Sequence, residues 1–117
     1  MQKIKIWHNS KCSKSRAALE LLETNKCDMD VIPYLENRPS KDEIKEVIQM
    51  LKVDARGIMR TKESLYSELN LSSDTLSEDD LITAMNNNPI LIERPIVIKN
   101  GKAAIGRPIE NIIELLS

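Results

Sequence analysis

The chain has 117 residues, with 17 Lys or Arg balanced by 18 Asp or Glu, so no excess of positive charge favours nucleic acid or an anionic membrane as a partner. No apolar run approaches the roughly 20 residues that span a bilayer, and no signal peptide is recognisable. We therefore expect a cytoplasmic protein whose residues 1–117 form a single domain.

The N-terminal third predicts a strand, a helix and a second strand. A short strand over Ile4–Trp7 precedes apolar residues at helical spacing over residues 13–25. Val31 and Ile32 form the second strand, which Pro33 ends. A strand, a helix and a strand within about thirty residues indicate a right-handed parallel crossover unit.

The middle of the chain, about residues 40–88, predicts a helical insertion. Ser40 and Glu43 have the spacing of a capping box and precede apolar residues at helical spacing. Shorter helices are predicted near Lys62–Leu69 and from Ser77 to about Asn87.

The C-terminal part predicts a hairpin and a last helix. Asn100-Gly101, a strong two-residue turn signal, joins the apolar strands Ile96–Lys99 and Lys102–Ile105. An amphipathic helix follows Pro108. The element order βαβ, helices, ββα indicates an α/β protein with a four-stranded mixed sheet.

Cys12 lies where the first strand ends and the first helix begins. The unpaired N–H groups and the dipole of a helix N-terminus favour thiolate, so the pKa of Cys12 should fall below the free value of about 8.5. The same N-terminus can bind an anion. The alternative is a buried, inert cysteine, against which the polar and basic neighbours argue.

His8 and Ser15 are candidates to assist this thiolate. His8 is the only histidine, and with Cys12 it supplies too few ligands for zinc, so we expect no metal site. His8 is either a half-buried residue at the strand end or an electrostatic or hydrogen-bonding aid to the sulfur. The Ser15 hydroxyl could donate a hydrogen bond to the same atom.

Cys27 is predicted to lie at the far end of the first helix. At 1.5 Å per residue the two cysteines are on the order of 20 Å apart, whereas a disulfide needs Cα atoms within about 7 Å. Cys27 therefore cannot resolve an oxidised Cys12 within the monomer. Redox turnover would need a thiol from another molecule.

Three arginines stand at element boundaries beside apolar stretches: Arg60, Arg94 and Arg107. A guanidinium there can face a cleft and bind an oxyanion through two hydrogen bonds. The other arginines, Arg16, Arg38 and Arg56, are interpreted as surface residues. For Pro95, the local sequence alone favours a trans peptide bond.

These residues lie in motifs that run almost end to end: His8-Asn9-x-x-Cys12-x-x-Ser15-Arg16, Tyr34-Leu35-Glu36 with Pro39, Arg60, Asn88 to Val97, and Gly106-Arg107-Pro108-x-Glu110. Through them the chain resembles the glutaredoxin-dependent arsenate reductase family, which has a thioredoxin-like fold. The likeness is closest to a bacterial arsenate-reductase-like subgroup. The family commonly has Asn-Pro where this chain has Asn9-Ser10, so the loop loses one fixed φ.

The resemblance implies a role for each matching residue. Cys12 would attack arsenate, three arginines would hold the oxyanion, His8 would assist the thiolate and Pro95 would be cis. The arginines are Arg60, Arg94 and Arg107. Glutathione would be a co-substrate, and glutaredoxin would be a protein partner. We expect no bound cofactor and a monomeric protein.

The predicted function is thus reduction of arsenate to arsenite by a single-cysteine enzyme. One alternative is a redox regulator of the same fold that binds RNA polymerase. Such regulators typically carry Cys-x-x-Cys, and the second position here is Ser15. Another alternative is a reductase-like protein acting on a different thiol or oxyanion.

Overall fold

The computed structural model describes residues 4–116, which form two compact units. The first unit combines the chain up to Asn37 with the chain from Arg94 onward, and the second is Arg38–Glu93. The predicted helical insertion of about 40–88 falls within the second unit. That the whole chain forms a single domain stays a prediction.

The first unit contains a four-stranded sheet in the order β2-β1-β3-β4. The strands are β1 (Ile4–Trp7), β2 (Met29–Ile32), β3 (Ile96–Lys99) and β4 (Lys102–Ile105). β1 pairs parallel with β2 and antiparallel with β3, and β3 pairs antiparallel with β4. The predicted mixed four-stranded sheet is confirmed, although β2 begins two residues before the predicted Val31.

Two helices of this unit, α1 (Ser13–Thr24) and α5 (Glu110–Leu116), share a core with the sheet. The buried members of this core come from β1, α1, β3 and α5: Ile4, Ile6, Ala18, Leu22, Val97 and Ile112. At the hairpin turn Asn100 and Gly101 have φ of 54° and 79°. Both positive angles fit the type I′ turn that the Asn-Gly pair predicts.

The second unit is helical, with α2 (Lys41–Leu51), α3 (Ser64–Glu68), α4 (Glu78–Asn87) and short 3-10 helices at Ala55–Ile58 and Pro89–Leu91. The capping box of Ser40 and Glu43 is present, and Ser77 forms a second one with Asp80. These boxes satisfy N–H groups that a helix start leaves unpaired. Among residues 4–116, every helix is too short or too polar to cross a membrane.

Candidate active site

Cys12 is positioned by a tight turn between β1 and α1. The Cys12 N–H donates to the Asn9 carbonyl at 3.0 Å, and the Lys11 N–H donates to Asn9 Oδ1 at 3.0 Å. Cys12 has extended φ and ψ of −98° and 123° and is the N-cap residue of α1. Its side chain lies beside the N–H groups of the first helical turn. Only 9% of Cys12 is exposed, so the expectation that its polar neighbours keep it from being buried is wrong.

The surroundings of this sulfur favour the thiolate. Burial raises the pKa of Cys12, but this effect is outweighed by the main-chain N–H of Ser15, the guanidinium of Arg107, the main-chain N–H of Lys14 and the guanidinium of Arg94. Together these donors lower the pKa to about 7. This shift brings the thiolate within reach at neutral pH, as a nucleophilic cysteine requires.

Two of the predicted arginines meet at this sulfur. Arg107 donates from Nη2 to Cys12 Sγ at 3.3 Å and from Nε to the Arg94 carbonyl at 3.0 Å. The Nε of Arg94 is buried and has no hydrogen-bond partner within residues 4–116. A buried guanidinium N–H with nothing to bind is costly, and a ligand that reached it would relieve that cost.

A close approach of two loops brings these arginines together. The Gly106 N–H donates to the Pro95 carbonyl at 2.9 Å. A Cβ on Gly106 would lie 2.7 Å from both Pro95 Cγ and Ile112 Cδ1, so only glycine fits without displacing them. The Arg94–Pro95 and Arg107–Pro108 peptide bonds are both cis. For Pro95 the trans bond that the local sequence favours is wrong, and the cis bond that the resemblance implies is present. The second cis bond was not predicted.

The structure gives His8 and Ser15 different contacts from those the sequence suggested. The Ser15 hydroxyl accepts the Asn9 N–H at 3.0 Å and lies 2.7 Å from His8 Nδ1, so its bonds go to the loop and not to the sulfur. Burial lowers the pKa of His8, and the charge of Arg16 lowers it further. A neutral His8 ring can accept a hydrogen bond from the Ser15 hydroxyl at Nδ1. Ser15 acts on the sulfur through its main-chain N–H instead.

Two arginines interpreted as surface residues make specific contacts. Arg16 is exposed, yet it donates from Nη1 to the Ser10 carbonyl at 2.8 Å. Arg56 is half-buried and donates to the carbonyls of Leu71 and Ser73 at 3.0 and 2.8 Å. The surface interpretation of Arg56 is therefore wrong. The sequence does not predict either contact, because the acceptors are main-chain carbonyls, which every residue carries.

Arg60 belongs to the second unit. Its Nη2 lies 3.2 Å from Glu63 Oε2, and its Nη1 donates to the Ile90 carbonyl at 3.3 Å. Its main-chain N–H donates to the Leu91 carbonyl at 2.7 Å, beside the bridge between Met59 and Ile92. That Arg60 joins Arg94 and Arg107 around one oxyanion stays a prediction.

Both cysteines are free thiols. Cys27 follows the C-terminal end of α1, where it is half-buried against the core of the first unit. Within residues 4–116, no three His, Cys, Asp or Glu side chains are grouped so that they could hold a metal ion. The chemistry that this part of the chain offers is that of one activated thiol beside two guanidinium groups.

Comparison with known proteins shows the family to which this chain belongs. The model of the ArsC family matches residues 7–115. An arsenate reductase of Neisseria meningitidis serogroup A is 50% identical over 117 residues, covering 99% of this chain and 100% of the relative. An arsenate reductase of Haemophilus influenzae is 44% identical, covering 95% and 97%. The solved arsenate reductase of Vibrio cholerae has a TM-score of 0.94 and 50% identity, covering 97% of each chain. The α/β fold is thioredoxin-like, and the chain belongs to the ArsC family.

Proposed function

We propose that this protein is an arsenate reductase that uses Cys12 as its single nucleophile, with glutathione and glutaredoxin as reductants. The observation that carries the proposal is the pairing of Arg107 with the Cys12 sulfur at 3.3 Å, together with the action of the Arg94 guanidinium on the same sulfur. A low-pKa thiol next to free guanidinium donors suits an anionic substrate. The names of close relatives, over nearly the full length, point to arsenate as that anion.

The arginines solve an electrostatic problem. A thiolate and an arsenate anion repel each other, so their approach needs fixed positive charge at the point of contact. Arg107 is already held by the Arg94 carbonyl through Nε, which leaves the other end of its guanidinium at the sulfur. The site therefore reorganises little when the oxyanion enters. We propose Arg60 as a third ligand of the same anion.

The first chemical step forms a bond between sulfur and arsenic. The Cys12 thiolate attacks As(V) of dihydrogen arsenate, and one oxygen takes up a proton and leaves as water. Glutathione then replaces a second oxygen, which also leaves as water, and arsenic stays As(V). Neither step is a redox reaction, since each only exchanges an oxygen ligand for sulfur.

Electron transfer follows in the second half. A glutaredoxin thiolate attacks the glutathione sulfur, the sulfur–arsenic bond breaks, and its electron pair stays on arsenic as As(III). The two sulfurs are oxidised to a glutaredoxin–glutathione disulfide. Water then releases arsenite and returns Cys12 as a thiol. Cys27 has no part in this scheme, because α1 separates it from Cys12.

We place this reaction in the cytoplasm, where glutathione keeps thiols reduced. The direct test is arsenate-dependent oxidation of NADPH in an assay coupled through glutathione reductase, glutathione and glutaredoxin. We expect turnover by the wild-type protein, and none when arsenate, glutathione or glutaredoxin is omitted or when Cys12→Ser replaces the wild type.

Two outcomes would contradict the proposal. The first is a wild-type protein that oxidises no NADPH with arsenate present. The second is a Cys12→Ser variant that keeps its turnover. Turnover with a different oxyanion in place of arsenate would favour the alternative of a reductase for another substrate.

A further inference from the structure

The turn that carries Cys12 is held against α1 by a hydrogen bond that does not involve the Cys12 sulfur. Residues 9–12 form a β-turn closed by the Cys12 N–H and the Asn9 carbonyl. Ser10 is exposed, and its carbonyl accepts a 2.8 Å hydrogen bond from Arg16 Nη1. Arg16 lies in the first helical turn, whose N–H groups stabilise the thiolate.

We propose that Arg16 is a positioning residue: it fixes the Asn9–Cys12 turn against the first turn of α1 and so keeps the Cys12 sulfur beside the main-chain N–H groups of Lys14 and Ser15. This proposal rests on the proposed function in one respect, which is that Cys12 is the reacting thiol. Arg16 itself is not placed in contact with a substrate.

The need for such a tether follows from the position of Ser10. Ser10 is the second residue of the turn, the position where proline fixes φ and pre-organises the chain. Serine leaves that angle free, so the turn depends on hydrogen bonds from its neighbours. The Asn9 end is held by the Ser15 hydroxyl, and the Ser10 carbonyl is held by the charge-assisted bond from Arg16.

Arg16 could also act through charge alone. Arg94 and Arg107 are the cations that act on the sulfur, whereas the charge of Arg16 acts on His8, the neighbour of Asn9. The two roles predict different reactivity of Cys12 in a variant that fixes the turn without restoring the positive charge. Reactivity should recover if Arg16 holds the turn in place, and should stay low if Arg16 acts through its charge. Within residues 4–116, no acceptor receives a hydrogen bond from the Ser10 N–H, so proline at this position removes none.

The test is the rate of alkylation of Cys12 by iodoacetamide against pH, followed by mass spectrometry of the Cys12 peptide. Arg16→Met keeps the helix propensity and the apolar stem but removes the donor and the charge. We expect its rate at about pH 6 to fall about threefold to tenfold, because that rate follows the thiolate fraction. Arg16→Lys keeps both a donor and the charge, and should stay within about twofold of wild type.

The decisive variant is Ser10→Pro combined with Arg16→Met. If Arg16 is a tether, proline fixes the turn in its place, and the alkylation rate returns to within about twofold of Ser10→Pro alone. A fall that proline does not restore would assign the effect to charge and overturn the proposal, and so would an unchanged rate in Arg16→Met. Thermal melting checks that each variant is folded, and Arg16→Leu, which also lacks a donor and a charge, replaces Arg16→Met if the latter is not. No arsenate is used, so failure here is distinct from failure of the proposed function.

Discussion

The two ends of α1 each carry a cysteine, and the two thiols have different surroundings. Cys12 caps the N-terminal end, facing main-chain N–H groups and the guanidinium groups of Arg94 and Arg107. Cys27 follows the C-terminal end, where its sulfur lies 4.0 Å from the Asn25 carbonyl and packs beside apolar side chains. One end of the helix presents donors and positive charge, and the other presents carbonyl acceptors.

This difference shows that position in the fold, and not residue type, makes a nucleophile. A helix N-terminus and a cation stabilise negative charge on sulfur, whereas carbonyl oxygens repel it. The comparison predicts that chemistry is confined to the N-terminal end of α1.

Exchanging each cysteine for serine should give the largest contrast. We expect Cys12→Ser to lose arsenate reduction by at least about a thousandfold, because a serine hydroxyl is hardly ionised at neutral pH. Cys27→Ser should keep turnover within about twofold, because its thiol is outside the site. Both variants are measured in the same coupled assay.

Oxidation of the wild-type protein supplies the control for this pair. The helix between the two thiols should prevent an intramolecular bond, so mass spectrometry of the folded, oxidised monomer should find no Cys12–Cys27 link. A native disulfide between them, or a loss of turnover in Cys27→Ser, would refute the separation of the two ends.

Removing Arg107 tests the positive charge at the N-terminal end. A charge-assisted hydrogen bond contributes on the order of 1.5–3 kcal/mol, so Arg107→Ala should reduce kcat/KM for arsenate about tenfold to a hundredfold. Arg107→Lys keeps the charge but loses the planar fork and should stay impaired. Wild-type kcat/KM in Arg107→Ala would show that this contact is not part of the site.

Arg60 provides the matched comparison from the second unit. If it binds the same oxyanion, Arg60→Ala should impair arsenate reduction about as strongly as Arg107→Ala. Unchanged kcat/KM would assign Arg60 only to its contacts with Glu63 and the Ile90 carbonyl.

The fold was more accessible from sequence than the details of the site. Some elements follow from short local sequence patterns. The capping box predicts the helix that begins after Ser40, and Asn100-Gly101 predicts the hairpin turn. The position of Cys12 was predicted in the same way. What escaped prediction are two kinds of contact. The first are side-chain hydrogen bonds within the Cys12 loop, between residues six or seven positions apart: the Ser15 hydroxyl with Asn9 and His8, and Arg16 with the Ser10 carbonyl. The second is the approach of Gly106 to Pro95. The first depend on the exact loop conformation and the second on tertiary packing, and a single sequence carries no pattern for either.

Stability against pH should show a smaller effect of the same thiolate. The folded pKa of Cys12, about 7, lies below the unfolded value of about 8.5. The unfolded state therefore binds more protons between these values, and stability from this group is present above the upper value and lost as pH falls through the lower one. Relative to Cys12→Ser, the wild type should gain unfolding free energy as pH rises from about 6 to about 9, measured by denaturant midpoints. His8 is common to both proteins, so its titration cancels, and a pH-independent difference would contradict the shift.

The most direct test of the account is the pH dependence of alkylation at each thiol in one sample of the wild-type protein. Mass spectrometry of the two cysteine peptides gives both rates under identical conditions. We expect Cys12 to react with a midpoint at about 7 and to react faster than Cys27 at neutral pH. A Cys12 midpoint at or above the free-thiol value of about 8.5 would contradict the claim that the N-terminal end of α1 creates the nucleophile.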